Sequence, residues 1–215
     1  MKKIIQNNIS FLSVYLLFFL LISSLLFTTG KIDSQIFANS FHHTFFDYFF
    51  YYFTKIIEIP VVIIFLFIFL FKNAKYGIIG IIIYLLNGVV SSLFKLFVFS
   101  NAKRPTVLIE NLRLIPDSFG FEQLSNNSFP SGHTTAGFSV FLFLAIITTH
   151  KRWKIIFGVC AVLVGYSRVY LSQHFFEDLL FGSSIGVFGT IIFFYLFDKI
   201  KFGNWALKPI INLKK

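Results

Sequence analysis

Six stretches of this 215-residue sequence are apolar for about the length that crosses a bilayer, and nothing else restricts its fold as strongly. They cover residues 9–29, 56–71, 76–99, 133–149, 155–171 and 179–197. In hydrocarbon a spanning segment must satisfy its own backbone N–H and C=O groups, so runs of this kind predict helices. The expectation is an all-α polytopic membrane protein with six transmembrane helices. Residues 1–215 are read as one domain, because no repeat, linker or shift in composition divides them. The first run is read as a retained span and not as a cleaved signal, since it is long for a signal's apolar region and no Ala-x-Ala site follows.

Composition supports the membrane reading. Hydrophobic residues make up 56% of the chain and charged ones 13%, which is not the balance of a soluble domain. The net charge of +10 is then explained by lysines that set topology and touch anionic headgroups, so no nucleic-acid partner is expected. Of the 19 lysines and arginines, 12 fall on one side if the N-terminus is cytoplasmic. The positive-inside rule therefore puts both termini in the cytoplasm and the regions of Arg104, His133 and His174 together on the outer face of the inner (plasma) membrane. Cys160 is the one cysteine, so no intrachain disulfide can form.

Residues 31–55 separate the first two spans and are too polar at the start to cross. Their run of phenylalanine and tyrosine suits headgroup depth, which predicts an interfacial amphipathic helical segment. His42 and His43 lie within it. Adjacent helical residues diverge by about 100°, and no cysteine or acidic cluster accompanies the pair, so both are read as interfacial and not as metal ligands.

Chemistry concentrates in three places. Ser167 to Asp178 reads Ser-Arg-Val-Tyr-Leu-Ser-Gln-His-Phe-Phe-Glu-Asp. If a helix starts near His174, that residue and Asp178 share a face, and the carboxylate can fix which ring nitrogen is free to attack phosphorus. Pro130-Ser131-Gly132-His133 opens the fourth span, where a helix start supplies N–H groups for phosphate oxygens and His133 is placed to protonate a leaving group. Arg104, at the start of the one long polar connection, and Arg168 offer fixed cations for a charge-rich transition state. No acidic cluster is available for magnesium or zinc, so neither metal nor other cofactor is expected.

These residues resemble the type 2 phosphatidic acid phosphatase superfamily, whose pattern is Lys-x6-Arg-Pro, Pro-Ser-Gly-His and Ser-Arg-x5-His-x3-Asp. The second and third motifs match in full. The resemblance implies an integral membrane lipid phosphatase, with His174 as the nucleophile, Asp178 orienting it and His133 as the acid. Lys95, Arg104, Ser131, Gly132 and Arg168 would bind phosphate, and the partner would be a lipid phosphate within the bilayer. Undecaprenyl diphosphate, lipid A, phosphatidylglycerol phosphate and phosphatidate are all open as substrates. The first motif departs from the family: Phe97 stands at the lysine spacing, and Lys95 is separated from Arg104 by eight residues instead of six. Two residues of helix rotate a side chain by about 200°, so Lys95 can serve only through a kink, local unwinding or its own length; Lys103 is the substitute. The competing readings are a catalytically silent scaffold and a transporter with intramembrane charges.

Overall fold

The computed structural model describes residues 1–58, 63, 74–114 and 124–203, and all regular structure among them is helical. A short α1 (Lys2–Asn7) leads into α2 (Ile9–Asn39). Gly30, at φ 77° and ψ 177°, interrupts α2 where the first span was expected to end. That backbone conformation is open to glycine at little cost, and it turns residues 31–39 out of the line of the span. The interfacial segment follows as α3 (Thr44–Thr54), capped by His43, whose ring nitrogen accepts from the Phe45 N–H. One side of α3 carries the stacked rings of Phe45, Phe49 and Phe53, spaced four residues apart. Its other side buries Asp47, Phe50, Tyr51 and Thr54.

The remaining helices are α4 (Ala74–Leu93), which continues as a π-helical turn over Phe94–Val98, a single turn α5 (Pro105–Leu108), α6 (Gly132–Ile147), α7 (Lys151–Tyr170) and α8 (Phe176–Phe197). Helices α2, α4 with its π turn, α7 and α8 are long and apolar enough to cross a membrane, and α6 is a shorter apolar helix. This is a multi-pass membrane protein. The expected span at 56–71 lies outside the described residues, apart from residues 56–58 and 63. The last span starts three residues earlier than expected, at Phe176 in place of residue 179.

Helix α6 sits at the centre, packed against α4, α7 and α8. Its approach to α8 depends on Gly182 and Gly186, one turn apart: a Cβ at either would stand 2.6 Å from a backbone oxygen of α6. Small residues at such spacing let helices pack closely in lipid, where no hydrophobic effect drives them together. Deeper in the bundle Asn87 of α4 donates to Ser139 Oγ of α6 (2.8 Å) and Thr190 Oγ1 of α8 (3.1 Å), joining all three. Interhelical bonds of this kind are worth on the order of 0.6 kcal/mol each. Close packing of α6 on α8 brings the first turns of both helices side by side, and the end of α7 arrives at the same end of the bundle.

Candidate active site

The loop between α7 and α8 is built by one carbonyl. The oxygen of Arg168 accepts from the N–H groups of both Gln173 (2.9 Å) and His174 (3.2 Å), while Ser172 takes a left-handed φ of 55° to close the turn. Backbone geometry thus ties His174 to Arg168. Helix α8 begins only at Phe176, so His174 precedes the helix and does not share a helical face with Asp178, as the spacing had suggested. They meet through the helix start instead. Asp178, in the first turn, reaches back so that its Oδ2 accepts from the Phe175 N–H (3.0 Å), from His174 Nδ1 (3.1 Å) and from the Ser128 hydroxyl.

Three donors on one oxygen fix the imidazole. With Nδ1–H committed to Asp178, Nε2 is left with its lone pair. Burial, followed by the nearby charges of Arg104, Arg168 and Lys95, holds the proton affinity of His174 well below the ordinary imidazole value of 6.5, against a smaller opposing effect of the Ser128 backbone. At neutral pH the ring is therefore uncharged. An uncharged ring with an available lone pair is chemically capable of nucleophilic attack.

The second motif is anchored to the third. The Ser131 N–H donates to the Asp178 carbonyl (3.1 Å), and Ser131 Oγ caps α6 by accepting from the Thr134 N–H (3.3 Å) and hydroxyl (2.9 Å). Ser131 is fully buried. Gly132 faces open space: a Cβ there would meet nothing within 4 Å. The N–H groups of Gly132 and His133 belong to the first helical turn, which has no intrahelical acceptor for them. His133 is half-buried and lies within electrostatic reach of Arg168, His174, Lys95 and Arg104.

Arg104 is held rigidly. Its Nη1 donates to both the backbone and side-chain oxygens of Gln173 (2.8 and 3.0 Å), and its Nε donates to Asn126 O (3.0 Å). Arg168 is buried, with Nη1 donating to Thr54 Oγ1 of α3 (3.1 Å). Lys95 reaches the same place through the π turn. There the Phe99 N–H bonds to Phe94 O, five residues back, which takes up an extra residue and resets the helix phase. Lys95 is half-buried and in electrostatic contact with Arg104, Asp178 and Arg168, whereas Phe97, at the family's lysine spacing, is 80% exposed. Lys103 is exposed and donates to Asn126 Oδ1 (2.8 Å). Lys95→Ala is accordingly expected to lower kcat/KM for phosphate release by about 10²-fold, the usual loss for one transition-state donor, and Lys103→Ala to change it little. The reverse order would move the first-motif cation to Lys103.

The structure thus gathers His133, His174, Asp178, Arg104, Arg168, Lys95, Ser131 and Gly132 at one end of the bundle. Sequence reading missed Ser128, Gln173 and Thr54, which position the others. Nothing in the sequence marked Ser128 except its place two residues before Pro130. His42 is a correction: it is not an interfacial side chain but buried, with both ring nitrogens engaged. Among the described residues no three His, Cys, Asp or Glu side chains are grouped to hold a metal.

Residues 76–202 match the PAP2 superfamily. Over 101 residues the chain is 42% identical to phosphatidylglycerophosphatase B of Bacillus subtilis (strain 168), an alignment covering 41% of this chain and 48% of that protein. Over 73 residues it is 40% identical to the lipid A 4'-phosphatase of Bacteroides thetaiotaomicron, covering 34% of this chain and 32% of the relative. The chain therefore spans about half or less of the length of these relatives. Among solved structures it resembles that of Aquifex aeolicus LpxE, with a TM-score of 0.68 and 27% identity over 77% of this chain and 94% of the other.

Proposed function

Since the chain belongs to the PAP2 superfamily, we propose that it is an integral membrane lipid phosphatase, hydrolysing a phosphate or diphosphate monoester of a membrane lipid through a phosphohistidine intermediate. The observation that carries this reading is the buried His174, its Nδ1 held by Asp178, set among Arg104, Arg168 and Lys95. In the first step Nε2 forms a bond to phosphorus and the bond from phosphorus to the lipid oxygen breaks, with His133 passing a proton to that oxygen. Water then attacks phosphorus, giving a proton to His133, and the bond from phosphorus to Nε2 breaks to release phosphate. Arginine and lysine side chains and the α6 N-terminus meet the charge on the equatorial oxygens throughout. This assigns the metal's usual work to fixed cations.

A lipid is favoured over a soluble ester by what adjoins the cradle. An apolar groove of about 390 Å³ runs between α4 and α6, lined by Tyr84, Gly88, Leu96, Ala136 and others, and it ends at Gly132. A hydrocarbon chain lying there would be attached to a phosphate beside Ser131 and His133. Relatives named for phosphatidylglycerol phosphate and for lipid A both act on lipid phosphates, and the lysine and arginine distribution supports an outer-face site. The test is phosphate release in detergent micelles from phosphatidylglycerol phosphate, phosphatidate, lipid A and undecaprenyl diphosphate, with glycerol 3-phosphate as the soluble control. Release from a lipid, little from the control, inhibition by vanadate and indifference to EDTA are expected. Loss of turnover in EDTA that magnesium restores would sink the metal-independent mechanism.

A further inference from the structure

Four side chains from α2, α3 and the turn between them converge on the end of α7, where helix carbonyls lack intrahelical donors. Gln35 Nε2 donates to Val169 O (3.0 Å), His42 Nε2 to Tyr170 O (2.8 Å), and Asn39 Nδ2 to Ser172 Oγ (3.3 Å), while Thr54 accepts from the Arg168 guanidinium. His42 is the centre of this contact. Its ring stacks on Tyr170 at 4.3 Å between centroids, and its Nδ1 meets Asp47 Oδ1 at 2.9 Å. A carbonyl only accepts, and the same Asp47 oxygen accepts from the Tyr170 hydroxyl (2.6 Å), with the Arg113 guanidinium 3.9 Å from the other carboxylate oxygen. Both ring nitrogens of His42 therefore face acceptors.

We propose that the α2–α3 corner is a positioning clamp for the catalytic loop, with His42 as its main grip: it holds the end of α7 in the one conformation that presents Arg168 and His174 to the same phosphoryl group. Arg104 and Asp178 hold the far side of the loop at Gln173 and His174, and its near side hangs on the end of α7, where the Arg168 carbonyl is the acceptor for two of its N–H groups and Ser172 stands at positive φ. Rotation of the last turn of α7 would carry that carbonyl, and His174 with it. His42, Gln35 and Asn39 touch no reacting atom. They act through Val169, Tyr170 and Ser172, which makes them positioning residues.

The proposal rests on His174 and Arg168 being catalytic, so its test has a readout that does not depend on activity. His42→Ala is expected to lower kcat by about 10- to 100-fold per folded molecule with KM little changed, as expected for reacting groups displaced by a fraction of an ångström. Hydrogen exchange at the amides of Leu171 to His174, all bonded in the native loop, should quicken. The pair His42→Gln with Asp47→Asn replaces the imidazole–carboxylate contact by two amides that can still bridge to the Tyr170 carbonyl, and it should recover both kcat and protection. Gln35→Leu keeps the volume, removes the bond to Val169 and moves both readouts in the same direction by less, so it serves if His42→Ala does not fold. Unchanged exchange at residues 171–174, unchanged kcat, or a double variant no better than His42→Ala would overturn the clamp. Absence of phosphate release from the wild type would count against the lipid phosphatase activity, and exchange alone would then decide the clamp.

Discussion

Replacing His174 by alanine is expected to abolish phosphate release from the lipid substrate and, with it, the covalent phosphoenzyme. The loss should be on the order of 10⁴- to 10⁶-fold, the range for removing a nucleophile from a histidine- and carboxylate-assisted site. Trapping with radiolabelled substrate tests this directly. Wild type should yield a phosphoryl bond that is acid-labile and base-stable, as a phosphorus–nitrogen bond is, and His174→Ala should yield none. Asp178→Asn should fall below wild type by about 10⁴-fold, because its carboxylate oxygen collects the His174 Nδ1–H, the Phe175 N–H and the Ser128 hydroxyl together. An amide oxygen lacks the full negative charge that those three donors meet, and the NH₂ group opposes them if it flips. A labelled phosphoryl bond of the same chemistry in His174→Ala would overturn the assignment.

Loss of His133 should be selective where loss of His174 is total. With a lipid phosphate, whose leaving oxygen is strongly basic, His133→Ala is expected to cost about 10²- to 10⁴-fold, the usual contribution of a positioned general acid. With an activated aryl phosphate the departing oxygen needs no proton, and the first step should be largely restored. His133 stands at the first turn of α6, next to N–H groups with no intrahelical acceptor, and its removal leaves Arg104, Arg168 and Lys95 in place. The measurement is the ratio of kcat/KM for aryl and lipid substrates in wild type and variant. An aryl phosphate that fares no better than a lipid in His133→Ala would remove the acid role and leave His133 as a phosphate ligand.

Much of the site was legible in the sequence because its spacing is short. Residues 130–133 and 167–178 are contiguous motifs, and Arg104 precedes a proline that starts the helical turn α5. Lys95 shows where local reading stops. Counting 3.6 residues per turn puts it on the wrong face, and the π turn at the end of α4 returns it to Arg104 and Asp178. His42 shows the same limit differently. A histidine beside aromatic residues reads as interfacial, and burial by α7 residues 128 positions away carries no local signature.

The sequence by itself determined the helical, membrane-spanning class, a further aromatic-rich helix after the first span and the identity of the histidines, arginines and aspartate that meet at the site. Those properties follow from runs of apolar residues and from spacings within one turn, which act along the chain. Only the tertiary structure decided which of them touch. Ser128 reaches Asp178, Gln173 holds Arg104, and Gln35 and His42 cap α7, because Gly182 and Gly186 let α8 close on α6 and because Gly30 turns α2 toward the loop. Such contacts depend on distances between helices, set by the shapes of two packed surfaces at once, and no single segment encodes them.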